Sequence, residues 1–127
     1  MIDALILGFY NKLASYSNYY KTYHVIAPYD SDLPYVTYGL ETNNPVPVFG
    51  NLEKIEQSTF WVNCFAESSS VCQDIVDLVI AKLDNSSLSV SGYTHMVCSR
   101  EFIGAIEYDI ESKVYKIPLR YRVLISE

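Results

Sequence analysis

From Ser58 to Asp84 the chain reads as one strand, Ser-Thr-Phe-Trp-Val-Asn-Cys-Phe-Ala, feeding directly into an amphipathic helix. Neither element can bury its apolar side alone, so the helix must lie back across the sheet that contains the strand. Cys72, Ile75, Val76, Val79, Ile80 and Leu83 recur at three- and four-residue spacing, with Asp74, Asp77 and Lys82 between them. Burying six such side chains is worth roughly 9–18 kcal/mol before chain entropy is subtracted, enough to hold one helix on a sheet. Ser70 and Gln73 have capping-box spacing, and Asp84-Asn85-Ser86-Ser87 supplies turn residues at the far end.

The strand is apolar on both faces. Phe60, Val62 and Cys64 point one way, the natural contact for the helix, while Trp61 and Phe65 flank Asn63 on the other. A sheet with helices on one side leaves that second face to be covered by a loop of the same chain or by another subunit.

The rest of the chain completes the layer. Leu5, Ile6, Phe9, Leu13 and Tyr16 predict a first helix from Asp3 to about Tyr16. Eight of the twelve tyrosines fall in the first 38 residues, as half-buried strand tyrosines or as interface contacts. Asp30-Ser31-Asp32-Leu33-Pro34 reads as a turn, and Tyr35 to Leu40 as a strand. Asn43 to Gln57 is expected to be one long irregular segment, because the prolines of Pro45-Val46-Pro47-Val48-Phe49 oppose a central strand; these five residues are the leading candidates for a partner contact. Leu88-Ser89-Val90 suggests a short strand, and longer ones are expected over Thr94–Ile106 and Val114–Ile125. In the last, Tyr115, Ile117, Leu119, Tyr121, Val123 and Ile125 share a face opposite Lys116, Arg120 and Arg122, and Pro118 predicts an edge or a bulge. The expected fold class is α+β: a mixed, mainly antiparallel sheet with two amphipathic helices on one face, in a single domain over residues 1–127.

Half of the residues are hydrophobic and 19% charged, which excludes bulk disorder. No run reaches the roughly 20 apolar residues of a membrane span, and Met-Ile-Asp-Ala-Leu-Ile-Leu lacks a basic lead-in, so a cytoplasmic origin without membrane contact is expected. Cys64, Cys72 and Cys98 have no C-x-x-C spacing, and with His24 and His95 far apart they read as buried thiols, with no metal and no cofactor. A net charge of −6 opposes a protein that grips nucleic acid, but not one that DNA slides past. No phosphate loop, nucleophile elbow or clustered carboxylate is present, so no catalytic residue is assigned and the chain is not read as an enzyme. Asp30 and Asp32 lead into Leu-Pro and fit turn chemistry.

The order of segments carries further information: the N-terminal helix, Leu33-Pro34-Tyr35-Val36-Thr37-Tyr38-Gly39, a variable loop, Phe60-Trp61-Val62-Asn63-Cys64-Phe65-Ala66, Ser69-Ser70 opening a helix, Gly92-Tyr93, and Tyr115-Lys116-Ile117-Pro118-Leu119-Arg120-Tyr121-Arg122-Val123. This order resembles the tail-completion, or tail-terminator, proteins of long-tailed bacteriophages. The resemblance implies a homo-hexameric ring that caps the end of the tail tube and joins the tail to the head or neck, acting by closure of a ring rather than by chemistry. Implied partners are the major tail tube protein, a head-closure or neck protein, and genomic DNA that passes without sequence-specific binding. The implied location is the virion, with the host cytoplasm as the site of assembly. On this chain the loop would meet a partner, and Trp61 and Phe65 would pack between subunits. A head-closure or tube protein would show the same size, acidity and strand content. A cytoplasmic enzyme or small-ligand-binding domain would instead gather His24 or His95 with Cys64 or an acid in one pocket.

Overall fold

The structure is a computed structural model that describes residues 2–14, 20–27, 33–46, 55–84 and 95–126. In chain order the elements are α1 (Ile2–Ala14), β1 (Lys21–His24), β2 (Tyr35–Val46), β3 (Ile55–Ala66), α2 (Ser69–Leu83), β4 (His95–Ile103), β5 (Glu107–Asp109) and β6 (Val114–Ser126). The six strands form one sheet in the order β1-β2-β3-β6-β4, with β5 pairing β6 alongside β4. Only β1–β2 is parallel; β2–β3, β3–β6, β4–β6 and β5–β6 are antiparallel. This is the expected α+β class, with a mixed sheet dominated by antiparallel pairs.

Both helices lie on the face formed by Phe60, Val62 and Cys64. Phe9 of α1 stacks on Phe60 with ring centroids 4.1 Å apart and planes within 3°. Cys72, Ile75, Val76, Val79 and Leu83 of α2 are buried in the same core, together with Ile117, Leu119, Tyr121, Val123 and Ile125 of β6. The helices are also tied to each other: the Leu13 carbonyl, at the C-terminal end of α1, accepts from Tyr20 Oη at 2.8 Å and from Lys82 Nζ of α2 at 3.2 Å. A cation there meets the negative end of the α1 dipole. Burial lowers the pKa of Lys82.

The start of α2 corrects one expectation. Ser68, not Ser70, is the N-cap: its backbone is extended, and its hydroxyl accepts from Val71 N at 3.2 Å. Ser70 lies inside the first turn, so the Ser70–Gln73 pairing does not form a capping box.

The segment from Asn43 to Gln57 is corrected as well. Asn43, Asn44, Pro45 and Val46 belong to β2 and pair in register with Ser58, Gln57, Glu56 and Ile55. Beyond Tyr38, β2 has a partner strand on one side only among the described residues. That open side accommodates a proline without costing a ladder hydrogen bond. Pro47, Val48 and Phe49 lie outside the described residues, as do Leu88–Val90 and Gly92-Tyr93.

Pro118 illustrates the same rule in the middle of the sheet. It pairs with Asn63 on one side, while on the other it falls between the last β5 partner, Lys116, and the first β4 partner, Leu119. Its carbonyl still accepts from Gly104 N at 2.7 Å across that gap. A β4-side edge has been opened locally inside a strand that is otherwise central.

The three cysteines are buried thiols, and none is joined in a disulfide among the described residues. Cys72 Sγ donates to the Cys64 carbonyl at 3.3 Å, and burial drives both thiols up, Cys64 the further of the two. Among the described residues no helix is long and apolar enough to cross a membrane, and no group of three or more His, Cys, Asp or Glu could hold a metal ion.

Candidate functional site

Among the described residues both helices lie on one side, which leaves the opposite face of the sheet open to a partner, and strand register arranges its side chains in rows. One row runs Gly39–Trp61–Arg120–Phe102 across β2, β3, β6 and β4. A second runs Tyr35–Phe65–Lys116–Glu107 across β2, β3, β6 and β5. Between them lie Thr37, Asn63 and Pro118. The two residues singled out on this face from sequence, Trp61 and Phe65, therefore sit in different rows, and both are half-buried.

In the first row, Trp61 lies directly over Gly39. A Cβ built on Gly39 would fall 2.5 Å from Trp61 Cζ2 and 2.6 Å from Cε2. Glycine is required here by this close approach, and the indole in turn covers the β2 backbone. Beside it, Arg120 is held twice. Its guanidinium sits 4.8 Å over the Phe102 ring, Nη2 donates to Glu41 Oε1 at 3.0 Å, and Nε lies 2.8 Å from Oε2. Glu41 reaches this position because β2 carries an irregularity between Leu40 and Thr42, and Phe102 because β4 carries one between Arg100 and Phe102. Thr42 and Thr59 hydroxyls make a short hydrogen bond further along the face. Both bulged strands thus re-aim side chains onto Arg120.

The second row floors a cleft of about 460 Å3. Tyr35 and Phe65 meet as a tilted pair with centroids 4.9 Å apart, and the hairpin of β5 and β6 supplies one wall through Glu107, Tyr108 and Asp109. Its charges are committed to the fold. Glu107 pairs with Lys116 at 3.7 Å, while Asp109 accepts from Glu111 N at 3.1 Å and Ser112 Oγ at 2.9 Å. Burial, and then the neighbouring Tyr23, raise the Tyr35 phenol. A floor of aromatic rings beside a lysine-paired Glu107 and a hydrogen-bonded Asp109 suits packing and hydrogen bonding with a partner surface. His24 lies against Tyr38 at 5.1 Å, on β1, whereas Cys64 is fully buried on the helix side. His95 starts β4, with its side chain outside the described set.

Sequence reasoning did not single out Glu41 and Phe102. Alternation on β6 does put Arg120 on the open face, but its partners arrive through two strand irregularities, which leave no mark in a period-two pattern. Of the loop candidates, Pro45 and Val46 have their backbone at the end of β2, and Pro47, Val48 and Phe49 fall outside the described residues.

No protein-family model matches the chain, and no curated protein matches it. Solved structures do. A chain in the structure of the virion of the native gene transfer agent particle is 13% identical, with a TM-score of 0.73, covering 99% of this chain and 97% of that one. A second solved structure is 10% identical at a TM-score of 0.68, over 98% of this chain and 95% of its own. At such identities the shared property is the fold, and it is shared from end to end.

Proposed function

We propose that this chain is a non-enzymatic structural protein of a phage-like virion, which caps the end of the tail tube as a sixfold ring and joins the tail to the head or neck. The observation that carries the reading is the end-to-end likeness to a chain of the gene transfer agent virion, at a TM-score of 0.73. The segment order that resembles tail-completion proteins supports the finer assignment, as does a sheet whose helix-free face is neither fully apolar nor fully solvated. On this reading the open face, with Phe65 flooring its cleft and Trp61 beside the Glu41–Arg120 pair, meets neighbouring subunits. The loop reached through Pro45 and Val46, including Pro47, Val48 and Phe49, meets the tail tube protein or the head-closure protein. A net charge of −6 suits a channel wall past which DNA slides without sticking.

The test is electron microscopy of particles made when a stop codon replaces Trp61 in the phage genome that carries the gene. Filled heads beside unattached, overlong or ragged tails are expected. Finished, infectious particles would sink the proposal. Replacing Val46, Val48 and Phe49 with Ser should leave folding intact and abolish docking to tails; a cooperative loss of folding would show instead that the loop belongs to the core.

A further inference from the structure

Residues 105–113 run from just beyond β4 through β5 and its turn, and all of them are exposed. Their apolar side chains find little cover: Ile110 is 80% exposed, and Ile106 and Tyr108 are close to half exposed. None belongs to the core that holds the two helices on the sheet. The same segment nevertheless walls the cleft above Tyr35 and Phe65, through Glu107, Tyr108, Asp109 and Ser112. A wall without buried anchors stands at the low end of local stability.

Its ties to the sheet are correspondingly few. β5 pairs with β6 through Glu107–Lys116, Tyr108–Tyr115 and Asp109–Val114, and among the described residues no strand covers its other side. The Glu107–Lys116 ion pair spans 3.7 Å with side chains 64% and 36% exposed, so solvent screens it. The Tyr108 and Tyr115 rings meet with centroids 4.6 Å apart. Inside the turn, by contrast, the bonds are local. Asp109 accepts from Glu111 N and Ser112 Oγ through its carboxylate, and from Lys113 N at 2.8 Å through its carbonyl. Those bonds travel with the segment when it moves.

Pro118 separates this segment from the rest of the sheet. The outward ladder of β6 breaks at Ile117 and Pro118, between the last β5 pair at Lys116 and the first β4 pair at Leu119. Proline has no N–H with which to bridge the break. Across it Gly104 N donates to the Pro118 carbonyl at 2.7 Å, and a Cβ on Gly104 would fall 2.5 Å from Pro118 Cγ. The chain is thus pinned at Gly104, so β4 keeps its pairing when the residues beyond let go. On the inner side Tyr115 and Lys116 stay paired with Ala66 and Phe65 of β3. β6 therefore holds its place whether or not β5 is bound to it.

We infer that residues 105–113 form a strap that opens and closes while the rest of the sheet stays folded, and so gates the cleft. Closed, it walls the Tyr35–Phe65 floor and covers the outer edge of β6 at Val114, Tyr115 and Lys116. Open, it leaves the floor without that wall and the hydrogen-bonding groups of that edge in water. This goes beyond the ring reading and holds for the isolated chain.

The test is native-state amide hydrogen exchange of the full chain, followed by NMR. Hydrogen-bonded amides of residues 107–113, and those of residues 114–116 bonded outward, exchange at least about 100-fold faster than the β6 amides bonded to β4. The step falls inside one strand, at Pro118, and strap exchange does not respond to urea below the unfolding transition. Tyr108→Ala removes the ring contact, speeds strap exchange about 2–10-fold and leaves the β4–β6 amides unchanged. Glu107→Cys with Lys116→Cys, joined as a disulfide, slows it at least about 10-fold. Equal protection on both sides of Pro118, strap exchange that follows global unfolding in urea, or exchange that either change leaves unmoved overturns the inference. None of these outcomes bears on the tail phenotype, which tests the cap reading separately.

Discussion

Gly39→Ala tests the packing on which the open face depends. The φ of Gly39 lies outside the left-handed region, so alanine fits the backbone and the effect arises from space alone. The added Cβ would lie 2.5, 2.6 and 2.9 Å from three atoms of the Trp61 indole, where ordinary contact begins near 3.4 Å. The ring must therefore retreat by about 1 Å, and being half-buried on a face without helices it can do so only by giving up its cover over β2. Overpacking of this kind costs about 1–3 kcal/mol. Against it stands the entropy alanine removes from the unfolded chain, about 0.4–1 kcal/mol. The expected net destabilisation is about 0–2.6 kcal/mol, centred at about 1.3 kcal/mol, measured by urea unfolding followed with far-UV circular dichroism. Trp61 is the sole tryptophan, so its native emission shifts to the red in the same samples. In a Trp61→Ala background the clash is gone, and Gly39→Ala becomes neutral or stabilising by about 0.4–1 kcal/mol. A Gly39→Ala protein at least as stable as wild type, with unchanged emission, would refute the Gly39–Trp61 packing.

Three further outcomes follow from the core. Because all three thiols are buried and burial raises those of Cys64 and Cys72, a thiol reagent should label none in the native protein and all three in urea; fast native labelling would contradict the packing. Tyr121→Phe removes a 2.8 Å hydrogen bond to Asp84 Oδ1 and should cost about 1.5–3 kcal/mol in urea unfolding, since the acceptor is charged. At alkaline pH the buried phenols dominate. Burial, then Tyr10, pushes Tyr38 from 10.0 up to about 12, and burial raises Tyr20 and Tyr121 further. The folded state keeps protons that the unfolded chain releases, so this stability is fully present below about pH 10 and falls as pH rises through 12. Lys82, lowered by burial, acts with the opposite sign, and its effect is complete by pH 10.5. The urea midpoint should thus fall steeply above pH 10, and a midpoint flat to pH 12 would be inconsistent with these phenols being buried.

The amino-acid sequence by itself determined which segments pair with which face. The stripe from Cys72 to Leu83 and the alternation from Tyr115 to Ile125 are periodic over several turns or residues, and such patterns admit one buried face whatever surrounds them. They were enough for the α+β class and the antiparallel bias. What only the tertiary structure decided depended on neighbours. Pro45 reads as a strand breaker until it is seen that β2 has one open side among the described residues, and Pro118 until the gap between β5 and β4 is found opposite it. Ser68 caps α2 because its backbone, rather than that of Ser70, is extended at the point of entry. Arg120 gains Glu41 and Phe102 through two irregularities that shift register by a residue. Periodicity reports the face a residue occupies; whether that face is an edge, a cleft or a groove is set by strand order, which pairs segments across distances that no local pattern encodes.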